Sequence, residues 1–286
     1  MKRTEGVFTD EQKRQAVEYR NKMVDSLVDG VTVYPNNVAV VNRSTVPYRG
    51  DYTSRRRGKI VELSSRARAR MLFVAMTTSV EFRSMLTVTY PQEFPTSGQV
   101  VKGHLDAILK SLSDRYGLSY FWFLEFQTKR GAPHIHILLT RPNVFSADRQ
   151  WFALRWAEII GLALGRRYCS ISDRREKDMW LQTLRVNTHP STWQEIRDEG
   201  GARKYVAKYA CKPEQKEVPE RFHDVGRFFG YSVDVKARIR PLETFSMEAD
   251  VIREVLADEG HKASEWDFLP KYLFGVETFA ELTRVL

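Results

Sequence analysis

Cysteine is scarce in this 286-residue chain: Cys169 and Cys211 are the only two, and they form no C-x-x-C pair. Neither a zinc ribbon nor a disulfide framework is therefore indicated, and a reducing compartment fits. Long apolar runs are missing too. No uninterrupted stretch is long enough to cross a bilayer, and the opening MKRTEGVFTDEQ leads into charged residues instead of an apolar signal core. These absences predict a soluble, cytoplasmic protein with no membrane partner. No G-x-x-x-x-G-K-[ST] occurs, which excludes a recognisable ATP-driven motor within the chain. No internal repeat or low-complexity segment appears.

Basic residues are abundant: 45 Lys plus Arg stand against 36 Asp plus Glu, for a net charge of +9, while 42% hydrophobic content supports a substantial core. A basic surface attracts polyanions, nucleic acid first among them. The densest cationic stretch runs from Arg43 to Arg70 and includes the consecutive Arg55, Arg56 and Arg57. It reads either as a solvated loop or as an arm on a phosphate backbone.

Periodicity supplies the elements. Thr9 and Gln12 resemble a capping box opening a helix to about Asp29, and VTVYPNNVAVV reads as a short hairpin or extended arm. Residues 64–76 look helical, and SMLTVTYP at 84–91 alternates as a strand. A helix from Thr96 or Ser97 to Tyr116 carries Val101, Leu105, Ile108, Leu109 and Leu112 on one stripe and stops at Gly117. SYFWFLEFQ is aromatic on both faces, predicting a strand covered on both sides or left open on one for base stacking. TKRGA joins it to HIHILLT as a hairpin. WFALRWAEIIGLALG predicts an amphipathic helix, LQTLRVNTH a further strand, and residues 202–212 a helix, with GRFFGYS following as a basic aromatic segment. The order predicts an α+β fold with an antiparallel sheet. The expected divisions are an N-terminal helix and basic arm over 1–63, a central domain over 64–240 and a C-terminal helical extension over 241–286.

Two constellations carry chemistry. In GAPHIHILLT, alternate side chains share a face, so His134 and His136 project together and can share a metal ion. The bland reading is two polar residues at an exposed strand start. Glu125 lies across the hairpin and completes a His, His, Glu set, unless it merely neutralises Lys129 and Arg130; Gln127 is a same-face alternative. In ARKYVAKYACK, Tyr205, Lys208, Tyr209 and Lys212 recur at helical spacing as one face of phenols and ammoniums, which a core stripe would not choose. The neighbouring cations are expected to favour phenolate. Together the sets describe metal-assisted transesterification of DNA by tyrosine.

The HIH triplet and the YVAKY run resemble the signatures of HUH endonucleases, and SMLTVTYP is similar to the apolar first motif of that group. The Glu125–His134 spacing, the GAP before the triplet and GRFFGYS particularly resemble rolling-circle replication initiators of small single-stranded DNA phages, over about residues 64–235. The resemblance implies a five-stranded antiparallel sheet of RRM-like type with helices on one face. It implies Mg or Mn at His134, His136 and Glu125, and Tyr205 and Tyr209 as paired nucleophiles with Lys208 between them. One tyrosine would form a 5'-phosphotyrosyl bond with single-stranded origin DNA, in a bacterial host whose helicase and polymerase act as partners. Arg55, Arg56, Arg57, Lys212 and Arg227 are the candidate DNA-binding cations. A relaxase or transposase of the same chemistry, an RRM-like binding module without catalysis and a metal hydrolase using activated water are the other readings.

Overall fold

A computed structural model describes residues 29–35, 38–43, 61–162, 173–197, 200–211, 218–247 and 271–274. The chain divides into two units, Met1–Ser54 with Pro241–Leu286, and Arg55–Arg240.

In the first unit, β1 (Asp29–Tyr34) and β2 (Val38–Arg43) form an antiparallel hairpin across the PNN turn, Tyr34 opposite Val38. Strand β8 (Glu243–Met247) pairs with β1, and β9 (Lys271–Phe274) with β2. These two C-terminal segments are therefore strands inside a region expected to be helical. Pairing with the two edges of a hairpin satisfies backbone groups on both sides, which propensity read along the sequence does not register. The expected helix from Thr9 lies outside the described residues.

The second unit is built on a five-stranded, wholly antiparallel sheet. Its strands are β3 (Ser84–Thr89), β4 (Tyr120–Phe126), β5 (Pro133–Leu139), β6 (Trp193–Glu195) and β7 (Phe229–Tyr231), in the order β6-β3-β5-β4-β7. Six helices flank it: α1 (Ser65–Thr77), α2 (Gly98–Tyr116), α3 (Ser146–Ile159), α4 (Arg174–Asn187), α5 (Gly201–Cys211) and α6 (Val233–Ala237). This is the α+β architecture expected from the sequence.

Helices cover both faces of the sheet, not one. On the first face Leu86, Val88, Trp122, Leu124, Phe126, Ile135, Ile137 and Leu139 pack with Val101, Leu105, Ile108 and Leu112 of α2 and with Phe152 and Trp156 of α3. On the second face Met85, Phe121, Phe123 and Leu138 pack with Met71 and Val74 of α1, Ala202 and Val206 of α5, and Val235 of α6. The reason is in the strands themselves: YFWFLEF and PHIHILL are apolar on both sides over most of their length, and both sides must leave water.

Local signals set the helix ends. The Ser64 hydroxyl accepts from Ala67 N at 3.3 Å to open α1, and Gly117 takes φ 59° to close α2. Asp224 accepts from Gly98 N at 2.8 Å, capping α2 from another part of the chain. Gly230 has a steric reason: a Cβ there would meet Trp122 Nε1 at 2.7 Å.

One element differs in kind. LQTLRVNTH, expected as a strand, continues α4 to Asn187. Asp173 starts this helix by accepting from Glu176 N at 3.0 Å, and Thr183 and Asn187, buried one turn apart, bond back to Met179 O and Thr183 O at 2.8 Å each. Such back-bonding reconciles two poor helix formers with a helix. The sheet's edge beside β3 is taken instead by the three-residue β6. Among the described residues, no helix is long and apolar enough to cross a membrane.

Candidate active site

The register of the central strands arranges the polar end of the second face. Thr87 pairs with His136 and Thr89 with His134 across β3 and β5, while Phe123 pairs with His136 and Glu125 with His134 across β4 and β5. Since side chains alternate, Thr87, Thr89, His134, His136, Phe123, Glu125 and Gln127 share a face with Met85, Phe121 and Leu138. That face is apolar at one end of the strands and polar at the other.

The polar end is partly sealed. His136 is 3% exposed and Glu125 8%. His136 Nε2 lies 3.4 Å from a Glu125 carboxylate oxygen, and the two histidine rings meet edge to face with centroids 4.7 Å apart. A threonine hydroxyl stands at the other nitrogen of each ring: Thr87 Oγ1 is 3.3 Å from His136 Nδ1, and Thr89 Oγ1 is 3.3 Å from His134 Nδ1. Gln127 Nε2 also approaches His134 Nδ1, at 3.5 Å, while its carbonyl oxygen accepts from Arg130 Nη1 at 3.3 Å. Reading the sequence missed both threonines as histidine partners; their signal was the T-x-T alternation in SMLTVTYP.

Helix α5 lies against this end. Val206 anchors it in the apolar cluster, and Tyr205 and Tyr209 pack beside it, half-buried. Tyr209 has its ring centroid 4.7 Å from that of His136 and 5.0 Å from that of Phe123; Tyr205 is 6.5 Å from His136 and 5.2 Å from Tyr209. Phe123 is thus an apolar floor stacked under His136 at 4.9 Å. Lys208 is exposed, its Nζ 5.9 Å from the centroid of each tyrosine ring.

The expected lowering of the phenol pKa is not what this setting produces at Tyr209. Burial pushes the Tyr209 hydroxyl up, and its hydrogen bond and charge interaction with Tyr205 and the negative charge of Glu125 add to the effect. The exposed ammonium of Lys208 is screened by water and does not offset burial. Tyr209 therefore keeps its proton at neutral pH.

Among the described residues, no group of three or more His, Cys, Asp or Glu side chains is gathered so as to hold a metal ion. His134, His136 and Glu125 are thus neighbours, not a closed ligand set: Glu125 faces His136, and His134 turns edge-on to it. The donor chemistry fits a divalent ion all the same, since two imidazoles and a carboxylate suit several first-row metals and His136 already directs Nε2 at the acid.

The candidate DNA-binding cations are not gathered here. Arg227 is exposed, and its carbonyl accepts from Lys102 of α2, the helix covering the opposite sheet face. Arg55, Arg56, Arg57 and Lys212 lie outside the described residues.

Comparison with known proteins agrees with these strands and this helix. Residues 83–214, which run from the start of β3 past the end of α5, match the family described as Replication-associated protein ORF2/gene-2 protein. No curated protein matches. Among solved structures, the N-terminal nuclease domain of non-structural protein 1 from minute virus of mice, described as coordinating Zn2+ in its active-site pocket and recognising DNA at the origin of replication, matches at 11% identity. That match covers 66% of this chain and 73% of that one with a TM-score of 0.23, too low to carry an argument. Through residues 83–214, the chain belongs to this family of replication-associated proteins.

Proposed function

We propose that this protein initiates rolling-circle replication by nicking and rejoining single-stranded origin DNA through a tyrosine. The observation that carries the reading is the placement of two phenols, Tyr205 and Tyr209, against His136 at the one polar end of an otherwise apolar sheet face. In the forward step a phenolic oxygen attacks phosphorus and loses its proton. The bond from phosphorus to the 3' oxygen breaks, and that oxygen takes up a proton and leaves as a 3'-hydroxyl. The 5' end stays on the protein as a phosphotyrosyl ester that keeps the energy needed for rejoining. A divalent ion, Mg or Mn, held by His134, His136 and Glu125, would polarise the phosphodiester and favour loss of the phenolic proton.

The residues divide the work. Phe123 and the burial of His136 exclude water from one side of the reacting group. One helical turn separates Tyr205 from Tyr209, so one can hold a strand while the other attacks. Lys208 supplies positive charge to a phosphate drawn onto the tyrosines without being the attacking group. We assign this chemistry to residues 64–240, with the arm containing Arg55, Arg56 and Arg57, together with Lys212 and Arg227, holding the strand by its phosphates. The released 3'-hydroxyl primes a host polymerase. Since the chain lacks a nucleotide-binding loop of its own, a host helicase opens the duplex.

The test is a randomised pool of single-stranded oligonucleotides labelled at the 3' end, incubated with protein and Mg or Mn and resolved by denaturing electrophoresis. Label that migrates with the protein, and is lost with a chelator, is the expected result. Cleaved DNA with no label on the protein would point to an activated water and overturn the tyrosine mechanism.

A further inference from the structure

The two histidines of the candidate metal pair are backed by two threonines from a strand that carries no other candidate function. In SMLTVTYP, Leu86 and Val88 fill the first-face core at 0% exposure, while Thr87 and Thr89 turn to the second face. Their hydroxyls stand at His136 Nδ1 and His134 Nδ1, 3.3 Å in both cases. For His136 the opposite side of the same ring is also defined, because Nε2 faces Glu125 at 3.4 Å. A neutral imidazole carries one N–H. A hydroxyl accepting from Nδ1–H keeps the proton on that nitrogen, leaving the Nε2 lone pair directed at the acidic side.

We propose that Thr87 and Thr89 are positioning residues that fix the tautomer and ring orientation of His136 and His134 for divalent metal. The inference rests on the metal reading given above. Strand β3 pairs in register with β5, so each threonine meets its histidine as a direct cross-strand neighbour, and the contact is built into the sheet. The structural alternative is that threonine is there as a β-branched strand former. The two accounts predict opposite orders for valine and serine: valine keeps the branched shape and loses the hydroxyl, serine the reverse. At His134 the amide of Gln127 competes for the same nitrogen, so Thr87 carries the larger share.

The experiment is calorimetric titration of the full-length protein with Mn2+ alone, beside thermal unfolding. The proteins are wild type, Thr87→Val, Thr87→Ser and His136→Ala, with Thr89→Val and Thr89→Ser as a second pair should a Thr87 variant fail to fold. Thr87→Val is expected to weaken Mn2+ binding by roughly tenfold, as loss of an outer partner of a metal-binding histidine does, while Thr87→Ser stays within about twofold of wild type. Valine binding Mn2+ as tightly as wild type, or serine losing as much as valine, overturns the positioning role while leaving the metal site standing. His136→Ala binding like wild type, or no binding by wild type, removes the metal reading and this inference with it.

Discussion

The two faces of the five-stranded sheet are made by the same strands, yet they do different things. On the first face every inward residue of β3, β4 and β5 is apolar, and α2 and α3 close over it. On the second face the same strands begin with Met85, Leu138 and Phe121 and end with Thr89, His134 and Glu125, and α5 brings its tyrosines to that end. Ile135 and His136 are adjacent in sequence and both almost fully buried, but one belongs to the core and the other to the site. A residue's role here follows from which way alternation points it and how far along the strand it sits.

The contrast breaks most completely with Tyr205→Phe combined with Tyr209→Phe. Phenylalanine keeps the ring packing over Phe123 and His136 and removes only the hydroxyls. Covalent capture of DNA on denaturing gels is expected to vanish, while the chemical unfolding midpoint stays near wild type. Each single substitution should impair the complete cut-and-join cycle, with at least one retaining single-step nicking. Next in size is the converse change on the other face. Ile135→Ala, beside both histidines but pointing away from them, should cost about 2–5 kcal/mol in urea unfolding. Nicking per folded molecule should be retained, and a specific loss of nicking at full stability would show that the faces are not separable.

How much of this was legible depends on the range of the signal. The stripe of α2, the alternation of β3 and the hairpin of β4 and β5 are local patterns, and Val101, Leu105, Ile108 and Leu112 are all at 0% exposure as that stripe requires. The T-x-T of β3 gives the face but not the partner: which histidine each threonine meets is set by pairing between residues 49 and 45 apart in sequence. The upward push on Tyr209 was hidden for the same reason, because the cations near it in sequence are visible while its burial and the Glu125 charge come from the fold. Thr183 and Asn187 misled in a different way: β-prone or turn-prone composition was overridden by a cap at Asp173 and by back-bonding to the helix.

A smaller effect sharpens the account of the first face. Lys102 reaches over Trp122 with its Nζ 3.9 Å from the ring centroid. Burial lowers its pKa to about 7, opposed by Asp106 and reinforced by Arg227. An unfolded lysine titrates near 10.5, so between these values the unfolded chain holds more protons and this residue makes stability rise with pH. Lys102→Met should flatten that rise, read as the difference in urea midpoint between pH 7 and about pH 10 for the two proteins. The smallest change concerns binding alone. Neutralising Arg55, Arg56 and Arg57 should reduce the slope of log affinity against log salt for single-stranded DNA by up to about 2, at roughly 0.7 per lost phosphate contact. An unchanged slope would return the arm to a solvated loop.

The central claim is that a tyrosine of α5 becomes bonded to DNA, and peptide mapping of the covalent product by mass spectrometry tests it most directly. After nuclease and protease digestion, the account predicts a nucleotide remnant on the peptide containing Tyr205 and Tyr209, attached through a phenolic oxygen. A remnant on any other residue, or cleaved DNA with every peptide unmodified, would contradict it.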